Sequence, residues 1–185
     1  MKAESTSIIN QVLKEINYVL HKVDERQIDQ VVNTIKKDKR IFVLGFGRSG
    51  FMAKSFAMRL MHIGYQVYVI GETITPSIQK EDILISVSGS GNTKSVLDLT
   101  QKAYEMGVNI IVVTSNRNSQ LAKLASNLLI IPGATKNGDG VRSIQLLSSL
   151  FDQTTHIVLD ILCLKLSLRN HISNEEAKKE HSNLE

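Results

Sequence analysis

Three hydroxyl side chains and two glycines occur within six residues of the chain, in the order Ser88-Gly89-Ser90-Gly91-Asn92-Thr93. The hydroxyls can donate hydrogen bonds to an anion, and the glycines let backbone N–H groups approach it closely. A helix predicted to start at Thr93 would add the positive end of its dipole. This combination predicts a phosphate site. The alternative is an ordinary helix cap with solvated serines, but a cap uses only one hydroxyl.

A second glycine-rich loop reads Gly45-Phe46-Gly47-Arg48-Ser49-Gly50 and formally matches the dinucleotide pattern G-x-G-x-x-G. Glu72 follows the next strand, at about the place where a dinucleotide fold keeps its ribose-binding acid. However, Arg48 lies inside the turn that a pyrophosphate must approach, and the chain has little room for a separate substrate domain. We therefore favour a small anion shared between the two loops. A dinucleotide-binding oxidoreductase remains the weaker alternative.

Short apolar runs alternate with segments of helical periodicity, and the runs are apolar throughout, as expected for strands covered on both faces. The pattern predicts an α/β three-layer sandwich with a five-stranded parallel sheet flanked by helices. In such sheets, ligands bind where the carboxyl ends of strands meet helix N-termini, so both glycine-rich loops face the same edge. The predicted strands are 41–44, 67–70, 83–87, 109–113 and 128–131, and the predicted helices are 8–20, 24–37, 51–63, 93–106, 119–125 and 143–168.

The composition is that of an ordinary globular chain, with 185 residues, 42% of them hydrophobic, and a net charge of +4. We expect one domain over 1–185, with N-terminal helices in 1–39 and a polar tail in 170–185 that carries no core. The scattered Lys and Arg residues argue against nucleic acid binding, and the lack of a long apolar stretch argues against a membrane span or signal peptide. The expected location is therefore the cytoplasm. Cys163, the single cysteine, is expected to be an inert packed thiol.

Taken together, these motifs resemble the sugar isomerase (SIS) domain family, and within it the 6-phospho-3-hexuloisomerases. The resemblance rests on Gly47-Arg48-Ser49-Gly50 running into 52–62, on the 88–93 loop, on Ser149-Leu150-Phe151 and on the ending 181–185. It implies a flavodoxin-like SIS fold, a substrate phosphate in the serine and threonine loop, and no metal or organic cofactor. The implied substrate-binding residues are Gly47, Arg48, Ser49, Ser88, Gly89, Ser90, Gly91, Asn92 and Thr93.

The reaction that the resemblance implies interconverts D-arabino-hex-3-ulose 6-phosphate and fructose 6-phosphate, in the ribulose monophosphate pathway of formaldehyde fixation. Moving a carbonyl between adjacent carbons through a cis-enediol requires a group that removes and returns a proton. Two alternatives stay open: another SIS sugar phosphate isomerase, and a non-catalytic sugar phosphate sensor. A sensor usually also carries a DNA-binding helix-turn-helix, and the 40 residues before the first strand are too short and insufficiently basic for one.

The resemblance implies Asp152 and His181 as the catalytic residues. The family usually carries glutamate directly after the Ser-Leu-Phe segment, so Asp152 is a departure that shortens the reach by about one methylene. From spacing alone, Asp152 could instead belong to a solvated helix face, because Ser148, Asp152, His156 and Asp160 recur every four residues. His181, in the charged tail, is implied as a proton donor or ring opener. Which of the two is the base stays open.

Two helices offer more apolar surface than one small sheet readily covers, namely the first helix and the long helix near the C-terminus. The sequence therefore predicts a homo-oligomer. The resemblance points to a homotetramer with the active site near a subunit interface.

Overall fold

The computed structural model describes residues 7–135 and 141–184. Residues 136–140, which follow the last predicted strand, lie outside the described part, as do residues 1–6 and residue 185. A five-stranded parallel sheet in the order β2-β1-β3-β4-β5 forms the centre, which confirms the predicted α/β sheet. Its strands are β1 (Ile41–Leu44), β2 (Val67–Val69), β3 (Ile83–Val87), β4 (Asn109–Thr114) and β5 (Asn127–Ile130).

Helices cover both faces of the sheet, which confirms the predicted three layers. They are α1 (Ile8–Leu20), α2 (Glu25–Thr34), α3 (Gly47–His62), α4 (Lys94–Glu105), α5 (Ser149–Arg169) and α6 (Asn174–Lys179), with a 3₁₀ turn at Ala122–Leu124 where a short helix was predicted. Within the described residues, no helix is long and apolar enough to cross a membrane.

The strand side chains alternate between two hydrophobic clusters, one on each face of the sheet. Ile41 and Val43 pack with residues of α2, α3 and α5, whereas Phe42 and Leu44 pack on the other face, together with residues of α4. Burying a side chain of this size contributes roughly 1.5–3 kcal/mol to folding. Both faces of the sheet are therefore needed to stabilise the strands whose carboxyl ends form the site.

Helix α3 begins four residues earlier than the predicted start at residue 51. The N–H of Gly50 donates to the carbonyl of Phe46 at 3.2 Å, which closes the first helical turn inside the glycine-rich loop. A side chain at Gly50 would place its Cβ 2.7 Å from the carbonyl oxygen of Gly45. The glycine therefore allows the helix to start directly against the end of β1, and it carries Arg48 and Ser49 on its first turn.

Helix α5 begins six residues later than the predicted start at residue 143. Leu147 has a positive φ of 54°, which is incompatible with a continuous helix. Just before it, the carboxylate of Glu15 on α1 accepts hydrogen bonds from Ser143 Oγ (2.6 Å) and from the N–H of Ile144 (2.8 Å). This tertiary anchor holds residues 143–145 against α1, and α5 starts only at Ser149.

The C-terminal segment is less detached than predicted. It contains α6, whose N-terminus is closed by a capping box between Ser173 and Glu176. Ile172 and Ala177 pack against the larger hydrophobic cluster. The prediction that residues 170–185 carry no core is therefore wrong for this part of the tail, and deleting it would remove buried contacts.

Candidate active site

A cavity of about 340 Å³ opens at the carboxyl ends of β1 and β3, where both glycine-rich loops were expected to meet. Seven of the nine predicted substrate-binding residues line it. The lining consists of Gly47, Arg48, Ser49, Ser88, Gly89, Ser90 and Thr93, together with Phe46, Val87, Val96, Thr135, Leu147 and Ser148. The two loops therefore form opposite walls of one cavity.

The 88–93 loop is fixed by hydrogen bonds to the carboxyl end of β4 and to Ser115, the residue that follows it. The N–H of Ser88 donates to the carbonyl of Val113 at 3.0 Å, which extends the sheet by one residue. The hydroxyls of Thr114 and Ser115 both donate to the carbonyl oxygen of Gly89, at 3.0 and 2.8 Å. A carbonyl bound twice cannot rotate freely, so these contacts fix the direction in which the loop presents its N–H groups.

Thr93 precedes α4 but does not cap it with its side chain. Its hydroxyl instead lies 3.1 Å from the hydroxyl of Ser88, within the cavity lining. The interpretation of this loop as an ordinary hydroxyl cap is therefore wrong for Thr93. The positive end of the α4 dipole and two neighbouring hydroxyls point into the same space, a suitable arrangement for a phosphate group.

Gly91 and Asn92, the other two predicted substrate-binding residues, shape the loop and do not line the cavity. Asn92 is exposed, and its Oδ1 accepts a hydrogen bond from the N–H of Gln120 at 3.1 Å. Gly91 has a φ of +63°, and a Cβ there would lie 2.1 Å from Ser119 Oγ. Both residues thus hold the loop against the 115–121 segment.

Asp152 is fully buried at the first turn of α5. The later part of the polar helix face that the four-residue spacing predicted is solvent-accessible. His156 and Asp160 are half-exposed, and 3.6 Å separates His156 Nε2 from Asp160 Oδ2. Asp152, on the first turn of the same helix, is instead covered by Ser49 and Ser148, so its assignment to a solvated helix face is wrong. It lies behind the cavity wall, beyond the two serines that line it.

Three groups contact the Asp152 carboxylate. Ser49 Oγ donates to Oδ1 at 2.7 Å and Ser148 Oγ donates to Oδ2 at 2.7 Å. Arg48 Nε lies 3.5 Å from Oδ2. Burial raises the pKa of Asp152, and the two hydrogen bonds and the charge of Arg48 offset only part of that increase. The site thus holds a carboxylate that is more basic than usual, next to a guanidinium that can neutralise a developing oxyanion.

His181 does not reach this cavity within its own chain. Its ring stacks on that of His62, with 5.2 Å between centroids, beside α6. His62 is buried at the last residue of α3, whereas Gly47 at the first residue lines the cavity. At 1.5 Å per residue, α3 separates the two ends by about 24 Å.

Sequence reasoning missed Ser148 as a partner of Asp152 and did not include Thr135, Leu147 or Phe46 in the cavity wall. The four-residue spacing of Ser148 and Asp152 was visible, but it predicts a shared helix face and not which way that face points. The contribution of Leu147 depends on its positive φ, which no local pattern signals for leucine.

A larger cavity, of about 440 Å³, lies between α3, α5 and α6. Its lining includes Arg59, Asp160 and Cys163, and it lies away from both glycine-rich loops. Burial raises the pKa of the Cys163 thiol well above its usual range, in agreement with an inert packed cysteine. In the part of the chain that the structure describes, no three His, Cys, Asp or Glu side chains cluster as a metal site would require.

The fold and the serine-lined cavity define a class of protein: the chain belongs to the SIS domain family, whose model matches residues 34–157. It is 35% identical to the 3-hexulose-6-phosphate isomerase of Bacillus subtilis, over 98% of this chain and 100% of that protein. It is 38% identical to the enzyme of the same name from Mycobacterium gastri, over 97% and 91%. A solved structure from Methanococcus jannaschii, for which the same function was inferred, superposes with a TM-score of 0.83 at 34% identity, covering 96% of this chain and 98% of that one.

Proposed function

We propose that this protein is a sugar phosphate isomerase that interconverts D-arabino-hex-3-ulose 6-phosphate and fructose 6-phosphate, the reaction of a 3-hexulose-6-phosphate isomerase. The observation that carries the proposal is the pairing of a serine and threonine loop at a helix N-terminus with a buried carboxylate behind the facing wall of one cavity. The named relatives match the chain along almost its full length, and this supports the same reaction. The reaction places the protein in the ribulose monophosphate pathway.

In the proposed mechanism, Asp152 removes the proton from C2 of the 3-ulose, and the C2–C3 enediol forms as the C3 carbonyl oxygen takes up a proton. The C2 hydroxyl then loses its proton and becomes the new carbonyl, while Asp152 returns a proton to C3. A base works best when its pKa is near the working pH, and burial moves Asp152 in that direction. No redox change occurs overall, so the chemistry needs no cofactor.

Asp152 must contact the sugar to act as the base, and Ser49 and Ser148 lie between it and the cavity. Substrate binding must therefore move Asp152 together with these two serines, so that the carboxylate reaches the sugar while both hydrogen bonds are kept. Hydrogen bonds in ligand-free catalytic sites often take their productive geometry only when the substrate binds.

Substitution of the loop hydroxyls is expected to weaken substrate binding. Ser88→Ala, Ser90→Ala and Thr93→Ala each remove a donor that the proposal assigns to the phosphate, and a hydrogen bond to a charged group corresponds to roughly a tenfold to hundredfold change in affinity. Isothermal titration with fructose 6-phosphate measures the loss, and Ser95→Ala on the exposed side of α4 is the matched control. Unchanged affinity in all three variants would contradict the phosphate assignment.

One assay separates the proposed reaction from its alternatives. Fructose 6-phosphate is followed by NMR without added cofactor, beside two parallel samples, one with an aldose 5-phosphate and one with fructose 6-phosphate and NAD. Formation of the 3-ulose supports the proposal, and turnover of the aldose alone points to another SIS isomerase. Binding without turnover points to a sensor, and turnover that requires NAD points to the oxidoreductase.

We further propose that the protein is a homotetramer whose active site lies near a subunit interface and that His181 completes the site of a neighbouring copy. Three apolar side chains of α1 are more than half exposed, namely Ile8, Ile9 and Leu13, and so are Leu146 and Leu147 beside the cavity. Such a surface next to a ligand site supports association with a second copy. His181 is exposed, and its distance from the cavity of its own chain favours a role in another.

Mixing two inactive variants tests this arrangement. Asp152→Asn and His181→Ala are each expected to lower kcat, the latter with little loss of stability because His181 is exposed. If each site takes Asp152 from one copy and His181 from another, random reassembly restores about a quarter of the sites. Activity is measured after mixing, and sedimentation reports the mass. No recovery, or a monomer of 20.6 kDa, contradicts the proposal.

Residues 1–185 are proposed to act as one domain in the cytoplasm. Elements outside the 34–157 match pack on the same cluster as the sheet, through Ile28 and Val31 of α2 and Ala177 of α6. The buried thiol of Cys163 is suited to a reducing compartment.

A further inference from the structure

Two serines at the starts of different helices donate hydrogen bonds to the Asp152 carboxylate, one to each oxygen. Ser49 lies on the first turn of α3 and donates to Oδ1, while Ser148 directly precedes α5 and donates to Oδ2, both at 2.7 Å. Ser148 occupies the N-cap position, yet its side chain makes no capping hydrogen bond. Its hydroxyl therefore donates to the carboxylate. A serine at an N-cap position usually accepts a hydrogen bond from a backbone N–H of the first helical turn instead.

A hydroxyl carries only one proton, so Ser49 cannot donate to Asp152 and to a phosphate oxygen at the same time. In this respect Ser49 differs from Ser88 and Ser90 on the facing loop, which make no contact with a carboxylate in the described chain. We propose that Ser49 and Ser148 are positioning residues that fix the Asp152 carboxylate, and that Ser49 is not a phosphate ligand. This inference rests on the proposed role of Asp152 as the base.

The expected consequence of the two hydrogen bonds is a change in both the basicity and the orientation of Asp152. Hydrogen bonds to the ionised form favour that form, so removing either hydroxyl raises the pKa of Asp152 further. Among the described residues, Arg48 from α3 is the charged group paired with this carboxylate, and it stays in place in both serine variants. With one bond lost, the carboxylate also gains rotational freedom and spends less time in the productive geometry.

The test compares Ser49→Ala and Ser148→Ala with the conservative variants Ser49→Thr and Ser148→Thr. For each alanine variant we expect the acid limb of the kcat profile to move up by about one pH unit, and kcat at neutral pH to fall roughly tenfold. The affinity for inorganic phosphate should stay within about twofold of the wild type. Threonine keeps the hydroxyl and should restore the acid limb. Ser90→Ala is the matched control, since it should weaken phosphate binding without moving the acid limb.

A ¹³C NMR titration of the Asp152 carboxyl, assigned by its absence in Asp152→Asn, reads the same effect without any activity. A tenfold loss of phosphate affinity in Ser49→Ala would overturn the inference, because Ser49 would then be a ligand. Unmoved ¹³C titrations in both alanine variants would also overturn it. If the ¹³C titration moves and the kcat profile does not, Ser49 and Ser148 do hold the Asp152 carboxylate, but another group is the base. That result would contradict the proposed function and not this inference.

Discussion

Asp152→Asn is expected to lose most of kcat, by about 10² to 10⁴-fold, while keeping its fold and its affinity for sugar phosphate. The substitution removes the proton acceptor but preserves size, and the loop that holds the phosphate lies on the facing wall of the cavity. Steady-state kinetics in the direction of fructose 6-phosphate, together with a titration of the same ligand, separate the two effects. A fully active Asp152→Asn protein would move the base to another residue.

The stability of Asp152→Asn is also expected to depend on pH differently from that of the wild type. The pKa of Asp152 is raised in the folded chain, so ionising this carboxyl lowers the free energy of unfolding. The neutral form causes no such loss. The cost is absent below the unfolded pKa, about 3.9, and develops as the pH rises through that value up to the folded pKa. The Tm of Asp152→Asn should therefore rise relative to that of the wild type as the pH increases over this range. A difference in Tm that does not change with pH would contradict the buried environment of Asp152.

Asp152→Glu is the informative companion, because it introduces the residue that the family resemblance implies at this position. We expect it to retain or raise activity, since the longer side chain extends the reach of the carboxylate toward the sugar. Its extra methylene must fit where Asp152 is fully buried between Ser49 and Ser148, so the stability of this variant shows how closely the site is packed.

The sheet was predictable from sequence because its strands are buried on both faces. Ile41–Leu44 and Ile83–Val87 are apolar or nearly so throughout, and their predicted bounds match the structure. This pattern needs no information about neighbours, because any fold that buries both faces demands it. The positions of the two glycine-rich loops at one edge then follow from the parallel arrangement of strands.

Helix starts and side-chain directions near the site could not be predicted, because tertiary contacts determine them. The start of α3 depends on Gly50 packing against Gly45, and the start of α5 depends on Glu15 holding a segment 128 residues away. The spacing of Ser148 and Asp152 placed them on one helix face, but only packing showed that Asp152 is buried while the later part of that face is half-exposed. The location of His181 depends on how α6 docks, and its proposed partner on another copy of the chain.

Gly91→Ala is expected to abolish tight phosphate binding. The residue lies at a φ of +63°, and an added Cβ would fall 2.1 Å from Ser119 Oγ and 2.9 Å from Thr114 Oγ1. Neither neighbour can move freely, because Ser119 Oγ accepts from the N–H of Ala122 and Thr114 Oγ1 donates to the carbonyl of Gly89. The loop backbone must shift instead, and each donor that this moves away from the phosphate is expected to lower the affinity roughly tenfold to hundredfold.

Gly107→Ala is the matched control, because it imposes similar backbone strain away from the cavity and without a clash. Gly107 has a φ of +78°, and the nearest atom to its added Cβ would be on the Lys80 side chain at 3.5 Å. This variant should lower Tm by a few degrees and leave the affinity for fructose 6-phosphate unchanged. Adding Ser119→Gly to Gly91→Ala removes the nearest obstacle and should recover part of the lost affinity, which calorimetric titration measures. If Gly91→Ala binds as tightly as Gly107→Ala, the loop does not owe its phosphate affinity to the fixed backbone geometry described above.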